Sequence, residues 1–193
     1  MSPVALTFDD GPDVDWTPQV LRALANAGAS ATFFVVAEQI AEPAGPGLLS
    51  ALIDAGHSVQ AHCGRHIRHT ELSLDQLRED VATVLGALAE HRVPRPALWR
   101  PPYGVLHPQH SARVAAEVGL ELVRWTDDPR DYAGTDAEEM LRSLASLESD
   151  SVVLLHDSRR YAHASDSAAN TVALVEPLVG AIRDRCGGTA LLP

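Results

Sequence analysis

Lysine is absent from this chain, and cysteine and aromatic residues are scarce. All 15 basic residues are arginines, set against 26 acidic ones for a net charge of −11. A surface that acidic repels polyphosphate and anionic lipid, which argues against nucleic acid and membrane surfaces as partners. The arginines form no cluster resembling a phosphate clamp. Two cysteines, Cys63 and Cys186, do not make a disulfide framework. No apolar run approaches the ~18 residues that a membrane-spanning helix needs. The start, Met1-Ser2-Pro3, leads at once into a strand-like run, without the basic, apolar and small-residue regions of a secretory leader. The expected location is therefore cytoplasmic, although a mature or excised domain of a secreted protein would read the same way. No G-x-G-x-x-G follows the first strand and no Walker sequence is present, which counts against nucleotide-binding open sheets. There is no low-complexity tract and no internal repeat.

What is present is ordinary globular material: 193 residues, 46% hydrophobic and 21% charged. That length suits one domain, 1–193, with a core of its own. Strand-like and helix-like segments alternate along it. The spacing predicts strands at Val4–Phe8, Thr32–Val36, Ser58–Ala61, Ala97–Trp99, Leu120–Trp125, Val152–Leu155 and Thr189–Leu192. Helices are predicted at Thr17–Ala27, Leu48–Ala55, Leu74–Ala89, Pro108–Val118, Ala137–Leu147 and Asn170–Arg185. Regular β–α alternation calls for parallel strands covered by helices, as a closed barrel or an open sheet.

The polar residues follow the strands. Asp9 and Asp10 come after the first, His62 and His66 after the third, and Arg100 after the fourth. Asp127, Asp128 and Asp131 come after the fifth, His156 and Asp157 after the sixth. In a parallel barrel all strand C-termini share one rim, where active sites are built. These scattered groups would then converge.

Each group also has a plainer reading. Asp9-Asp10-Gly11-Pro12 has the residues of a turn, yet adjacent carboxylates at a buried strand end are costly and a cation would relieve them. The four-residue step from His62 to His66 can put two imidazoles on one metal, and surface histidines would also explain it. Cys63 reads as a small filler rather than a thiolate ligand. Arg100 is either a surface ion pair or partly buried between Trp99 and Pro101. His156 leaves a buried strand and could be a satisfied core histidine. His57 and His69 read as bystanders, and His91, His107, His110 and His163 as solvated.

Taken together these residues resemble the polysaccharide deacetylase family (carbohydrate esterase family 4, the NodB-homology domain). Thr7-Phe8-Asp9-Asp10-Gly11-Pro12 matches the first of the family's five ordered motifs. His62-Cys63-Gly64-Arg65-His66 matches the spacing of the second, and Arg100-Pro101-Pro102-Tyr103-Gly104 matches the third. Trp125 to Tyr132, with Asp128 and Asp131, looks like the fourth, and Leu154-Leu155-His156-Asp157 matches the fifth. The resemblance runs from residue 4 to about residue 190.

It implies a distorted (β/α) barrel of about seven parallel strands and a metal-dependent hydrolase that removes acetyl groups from N-acetylated sugars. Chitooligosaccharide, peptidoglycan-type sugars or a small acetylated metabolite would be the partner. Some members cleave acetyl esters instead, and cyclic-amide hydrolysis or non-catalytic sugar binding on the same barrel are the other readings. Carried over by the resemblance, Asp10, His62 and His66 would hold the metal, usually Zn²⁺, with Co²⁺ also conceivable. Asp9 would be the general base, held by Arg100. His156 would be the general acid, oriented by Asp131. The Tyr103 backbone N–H would help bind the oxyanion, and Leu154, Tyr132 and Pro102 would shape the substrate pocket. Cys63 stands where the family usually has Thr or Ser, Gly64-Arg65 replaces an aromatic-Ser pair, and Tyr132 replaces Trp.

Overall fold

The computed structural model describes residues 3–162 and 167–192. Val4–Asp9 (β1) and Thr32–Val36 (β2) are buried along their whole length, as continuous apolar runs covered on both faces should be. Ser58–Cys63 (β3), Leu98–Trp99 (β4), Glu121–Leu122 (β5), Val152–His156 (β6) and Thr189–Ala190 (β7) complete a seven-stranded, all-parallel sheet. Its order is β5-β4-β3-β2-β1-β6, with β7 beside the start of β1. The sheet curls until its ends meet: the segment after β5 bridges back to β6 through Asp127 and Val153. This is the distorted barrel that the sequence resemblance implies.

Among the described residues seven α-helices pack around the sheet: Thr17–Ala27 (α1), Ala37–Ile40 (α2), Gly45–Asp54 (α3), Leu74–Glu90 (α4), Ser111–Val118 (α5), Ala137–Ser143 (α6) and Ala169–Cys186 (α7). Helix α1 starts with a proline in its first turn and stops at Gly28, whose φ of +59° needs no Cβ. Helix α4 opens with a reciprocal cap between Ser73 and Gln76. The core fills the space between these helices and the sheet, with Phe8 stacked on Phe33 at 5.1 Å.

Several expected boundaries move. Strand five is predicted to Trp125 but pairs with β4 only at Glu121–Leu122. The main chain leaves that ladder and Thr126 and Asp127 then donate to Val152 on β6, so the strand divides its bonding between two neighbours. Helix α3 begins at Gly45, inside a Pro/Gly stretch that reads as loop, because Pro46 is tolerated in a first helical turn. Helix α2 is too short to show a periodicity. Helices α5 and α6 are shorter than their apolar spacing suggests. Strands β1, β3 and β6 run one or two residues further than predicted and take Asp9, His62 and His156 into their last turns of ladder.

Candidate active site

The strand ends deliver the polar residues to one cavity of about 430 Å³. Asp9 is the last residue of β1. Asp10 leaves the strand with φ +78°, a conformation that costs a non-glycine residue of order 1–3 kcal/mol and gathers at functional sites. Continued alternation would send the two carboxylates to opposite faces. The left-handed turn cancels that, and both line the same cavity.

Asp10 Oδ1 lies 3.3 Å from His62 Nε2 and 3.1 Å from His66 Nε2. The three ligand-type atoms fall within 4.8 Å of one another. His62 Nδ1 is 2.7 Å from the Arg100 carbonyl oxygen. A carbonyl can only accept, so Nδ1 carries the proton and Nε2 presents its lone pair to Asp10. Asp10 Oδ1 is buried yet receives no aligned hydrogen bond. A carboxylate oxygen and the His62 lone pair facing each other without a proton between them repel, and a cation placed between them removes the repulsion. The donor set of one carboxylate and two imidazoles fits a divalent metal with a coordination position open. Burial works against charging either partner. A proton taken up at His62 Nε2 would remove the repulsion too, and that pairing outweighs burial, holding Asp10 below the usual carboxylate range and His62 above its ordinary value.

The loop from His62 to His66 is fixed from below. Asp80 on α4 accepts from the N–H groups of Gly64 at 3.0 Å and Arg65 at 2.8 Å. A Cβ on Gly64 would sit 2.8 Å from the Asp80 carbonyl oxygen, so glycine lets the loop rest directly on the helix.

Two further carboxylates hold cations. Arg100 is fully buried and donates from Nη1 to Asp9 Oδ1 at 2.8 Å and to Thr7 Oγ1 at 2.7 Å. Its guanidinium lies 4.1 Å from the Phe34 ring centroid, so of the open alternatives it is the buried one. Asp131 is buried and accepts from His156 Nδ1 at 2.7 Å, from the His156 main-chain N–H at 2.8 Å and from Thr171 Oγ1 at 2.8 Å. Burial disfavours an imidazolium at His156, but the Asp131 carboxylate outweighs it and the pKa is pushed up to about 9.

The sequence pattern of the polysaccharide deacetylase family matches residues 2–123. The chain is 32% identical over 190 residues to a chitooligosaccharide deacetylase of Bradyrhizobium sp., covering 94% of this chain and 85% of the relative. It is 32% identical over 163 residues to the peptidoglycan-N-acetylglucosamine deacetylase of Listeria monocytogenes, covering 84% of this chain. The aligned part spans about a third of that relative's length, 34%. In space it overlays a family 4 carbohydrate esterase from Streptomyces lividans with a TM-score of 0.84 and 30% identity, over 95% of this chain and 88% of the other. The chain belongs to the polysaccharide deacetylase family.

All five family motifs reach the cavity or its immediate support. Asp9, Asp10, His62, His66, Tyr103 and His156 line it. Arg100 and Asp131 stand behind it, each bonded to a residue that lines it. Leu154 and Tyr132 also form wall, with the Tyr132 ring edge-on to His156 at 5.5 Å. Pro102 is buried at the start of the turn carrying Tyr103 and is not part of the lining. Cys63 is buried outside the Asp10–His62–His66 group.

Trp125, which the sequence shows only as the start of the fourth motif, also forms wall, as do Arg68 and Tyr161, which carry no sequence signal. The Trp125 ring packs where a Cβ on Gly104 would meet it at 2.6 Å. Tyr161 stacks on His66 at 4.3 Å. Arg68 covers the face of Tyr103, 3.9 Å from its centroid. An aromatic residue at the last position of a predicted strand was the available signal for Trp125. Among the remaining histidines, His57 accepts from the Ala31 N–H and His69 is buried beside Ser111. His107 and His110 are not simply solvated, since their rings stack at 3.7 Å. His163 lies outside the described residues.

Proposed function

We propose that this chain is a metal-dependent deacetylase that removes the acetyl group from N-acetylated amino sugars. The observation that carries this reading is the convergence, in one cavity, of a buried carboxylate–bis-imidazole cluster with a carboxylate on one side and a carboxylate-paired histidine on the other. Zinc suits the donor set best. Bound by Asp10, His62 and His66, it would lower the pKa of a water and polarise the acetyl carbonyl.

The protein's own groups divide the proton work. Asp9 is fixed by the Arg100 guanidinium at Oδ1, which leaves Oδ2 to take the proton from the attacking water. Arg100 acts through Asp9 and is a positioning residue. The Tyr103 segment bends through φ +58° at the cavity wall, and its N–H serves as a donor for the developing oxyanion. His156 stays protonated through the neutral range and gives a proton from Nε2 to the departing nitrogen. An amine leaves poorly without that proton, whereas an alcohol is a better leaving group, so a charged His156 favours amides over esters. Asp131 keeps Nδ1 engaged and directs Nε2 at the substrate. Leu154 and Tyr132 supply apolar wall suited to the acetyl methyl group.

Names of relatives support the substrate class: one acts on chitooligosaccharide and another on peptidoglycan N-acetylglucosamine. The reading is tested by acetate release from N-acetylglucosamine oligomers after chelation and after zinc is restored. Zinc-dependent release is expected, and no release at any zinc concentration would refute it.

A further inference from the structure

Arg68 lies on the wall of the same cavity and takes no part in the chemistry above. The charges of the reacting groups are already matched: Asp9 by Arg100, His156 by Asp131, and Asp10 by the imidazoles and the metal they fit. Arg68 is left over. Among the described residues no other arginine lines the cavity. Its nearest carboxylate is Glu71, 3.7 Å from Nε. Their side chains are 42% and 61% exposed, and a pair that open contributes little. The two terminal nitrogens of Arg68 have no partner among the described residues.

The guanidinium is nevertheless held. It sits 3.9 Å from the centroid of Tyr103, and Tyr103 in turn packs edge-on against His66 at 4.5 Å. Stacking uses the face of the guanidinium and leaves its in-plane N–H groups open. Such a fork is preorganised for a carboxylate, which it can grip with two parallel hydrogen bonds. Tyr103 is 42% exposed, so this ring and the cation above it form the rim. A single aromatic ring separates the guanidinium from His66 and hence from the metal cluster.

We propose that Arg68, laid on Tyr103, is an anion subsite at the cavity rim, and that the substrate is an N-acetylated sugar bearing a carboxylate close to the scissile acetamide. The proposal rests on the deacetylase reading and adds to it the charge of the substrate. On a protein of net charge −11, an anionic substrate is repelled by most of the surface, and a local cation at the entrance answers that repulsion. The carboxylate has two chemical sources, a lactyl ether on the amino sugar or its neighbour, and a ring carboxylate of an adjoining uronic acid.

The test uses three soluble disaccharides with the full zinc-loaded chain: di-N-acetylchitobiose, N-acetylglucosaminyl-N-acetylmuramic acid, and N-acetylglucosamine joined to glucuronic acid. A charge-assisted pair is worth about 10–100-fold in binding. Arg68→Gln should lower kcat/KM by about that factor on at least one acidic disaccharide, through KM, and change chitobiose by less than about threefold. Arg68→Lys should recover part of the loss. The acidic substrate most affected identifies the source. Added salt should weaken the acidic substrate's KM in the parent and not in Arg68→Gln. Equal losses on neutral and acidic substrates, or none on either acidic one, would overturn the subsite. Acetate release from chitobiose by the unaltered chain judges the deacetylase reading separately.

Discussion

Asp131 grips His156 at two points, its Oδ1 accepting from the ring Nδ1 at 2.7 Å and its Oδ2 from the main-chain N–H at 2.8 Å. The carboxylate is itself anchored by Thr171 and approached by Arg159 Nη2 at 3.7 Å. Burial alone would discharge His156, and the carboxylate reverses that, up to about 9. Asp131→Asn removes the largest opposing influence. The alkaline limb of the activity profile should then move to lower pH by roughly 1–3 units, the usual effect of one close charge. A pH–rate profile of the variant with an unmoved alkaline limb would exclude His156 as the acid that Asp131 tunes.

The adjacent aspartates should separate by their dependence on zinc. Asp9→Asn keeps the shape beside Arg100 but removes the base, and should lower turnover by roughly 10²–10⁴ with metal content intact. Asp10→Asn removes a ligand, so zinc affinity should fall and excess zinc should restore part of the rate. Metal content and rate against free zinc are measured for both. Rescue of Asp9→Asn by zinc, with none for Asp10→Asn, would reverse the two roles.

The strand-end placement of these residues was legible because parallel buried strands leave unbroken apolar runs, and the runs of β1 and β6 each end in a residue of the cavity, Asp9 and His156. Val152 to Leu155 leading into His156 is the plainest case. Strand five was not legible, because its main chain bonds first to β4 and then, at Thr126 and Asp127, to β6. A single apolar run cannot show such a change of partner. Asp10 is another limit: the residue types at the turn are visible, but a positive φ that swings its carboxylate to the side of Asp9 is not. The rim residues Arg68 and Tyr161 come from connecting segments, which have no periodicity to read.

Cys63 neighbours His62 in the chain but belongs to the interior. Burial pushes its thiol well up, away from thiolate, and it lies outside the cluster of Asp10, His62 and His66. Cys63→Ser should keep one zinc per chain and most of the activity. Zinc analysis of the purified variant checks this, and loss of bound metal would show that the sulfur coordinates.

Asp157 should make stability depend on pH in a direction opposite to that of most carboxylates. It is buried beside the Asp9–Asp10 turn, so close that a Cβ on Gly11 would fall 2.3 Å from its Oδ2. Thr17 Oγ1 donates to Oδ2 at 2.5 Å, while Oδ1 is buried without a partner. Burial raises its pKa, the Asp13 and Asp10 charges add to the rise, and the value is pushed up to about 7. The unfolded chain releases this proton at the ordinary carboxylate pKa, near 3.8. Between those two values the folded state holds the extra proton. Its contribution to stability is therefore full below the unfolded pKa, declines as pH rises, and is lost once pH passes about 7. Asp157→Asn keeps an acceptor for Thr17 and carries no proton to lose. Its melting temperature relative to the parent should climb from pH 4 to pH 8, by several degrees, since ~1 kcal/mol moves the midpoint about 2–4 °C in a chain of this size. Thermal melts of both proteins across that range decide it, and a difference that stays constant with pH would show that Asp157 is already ionised in the folded protein.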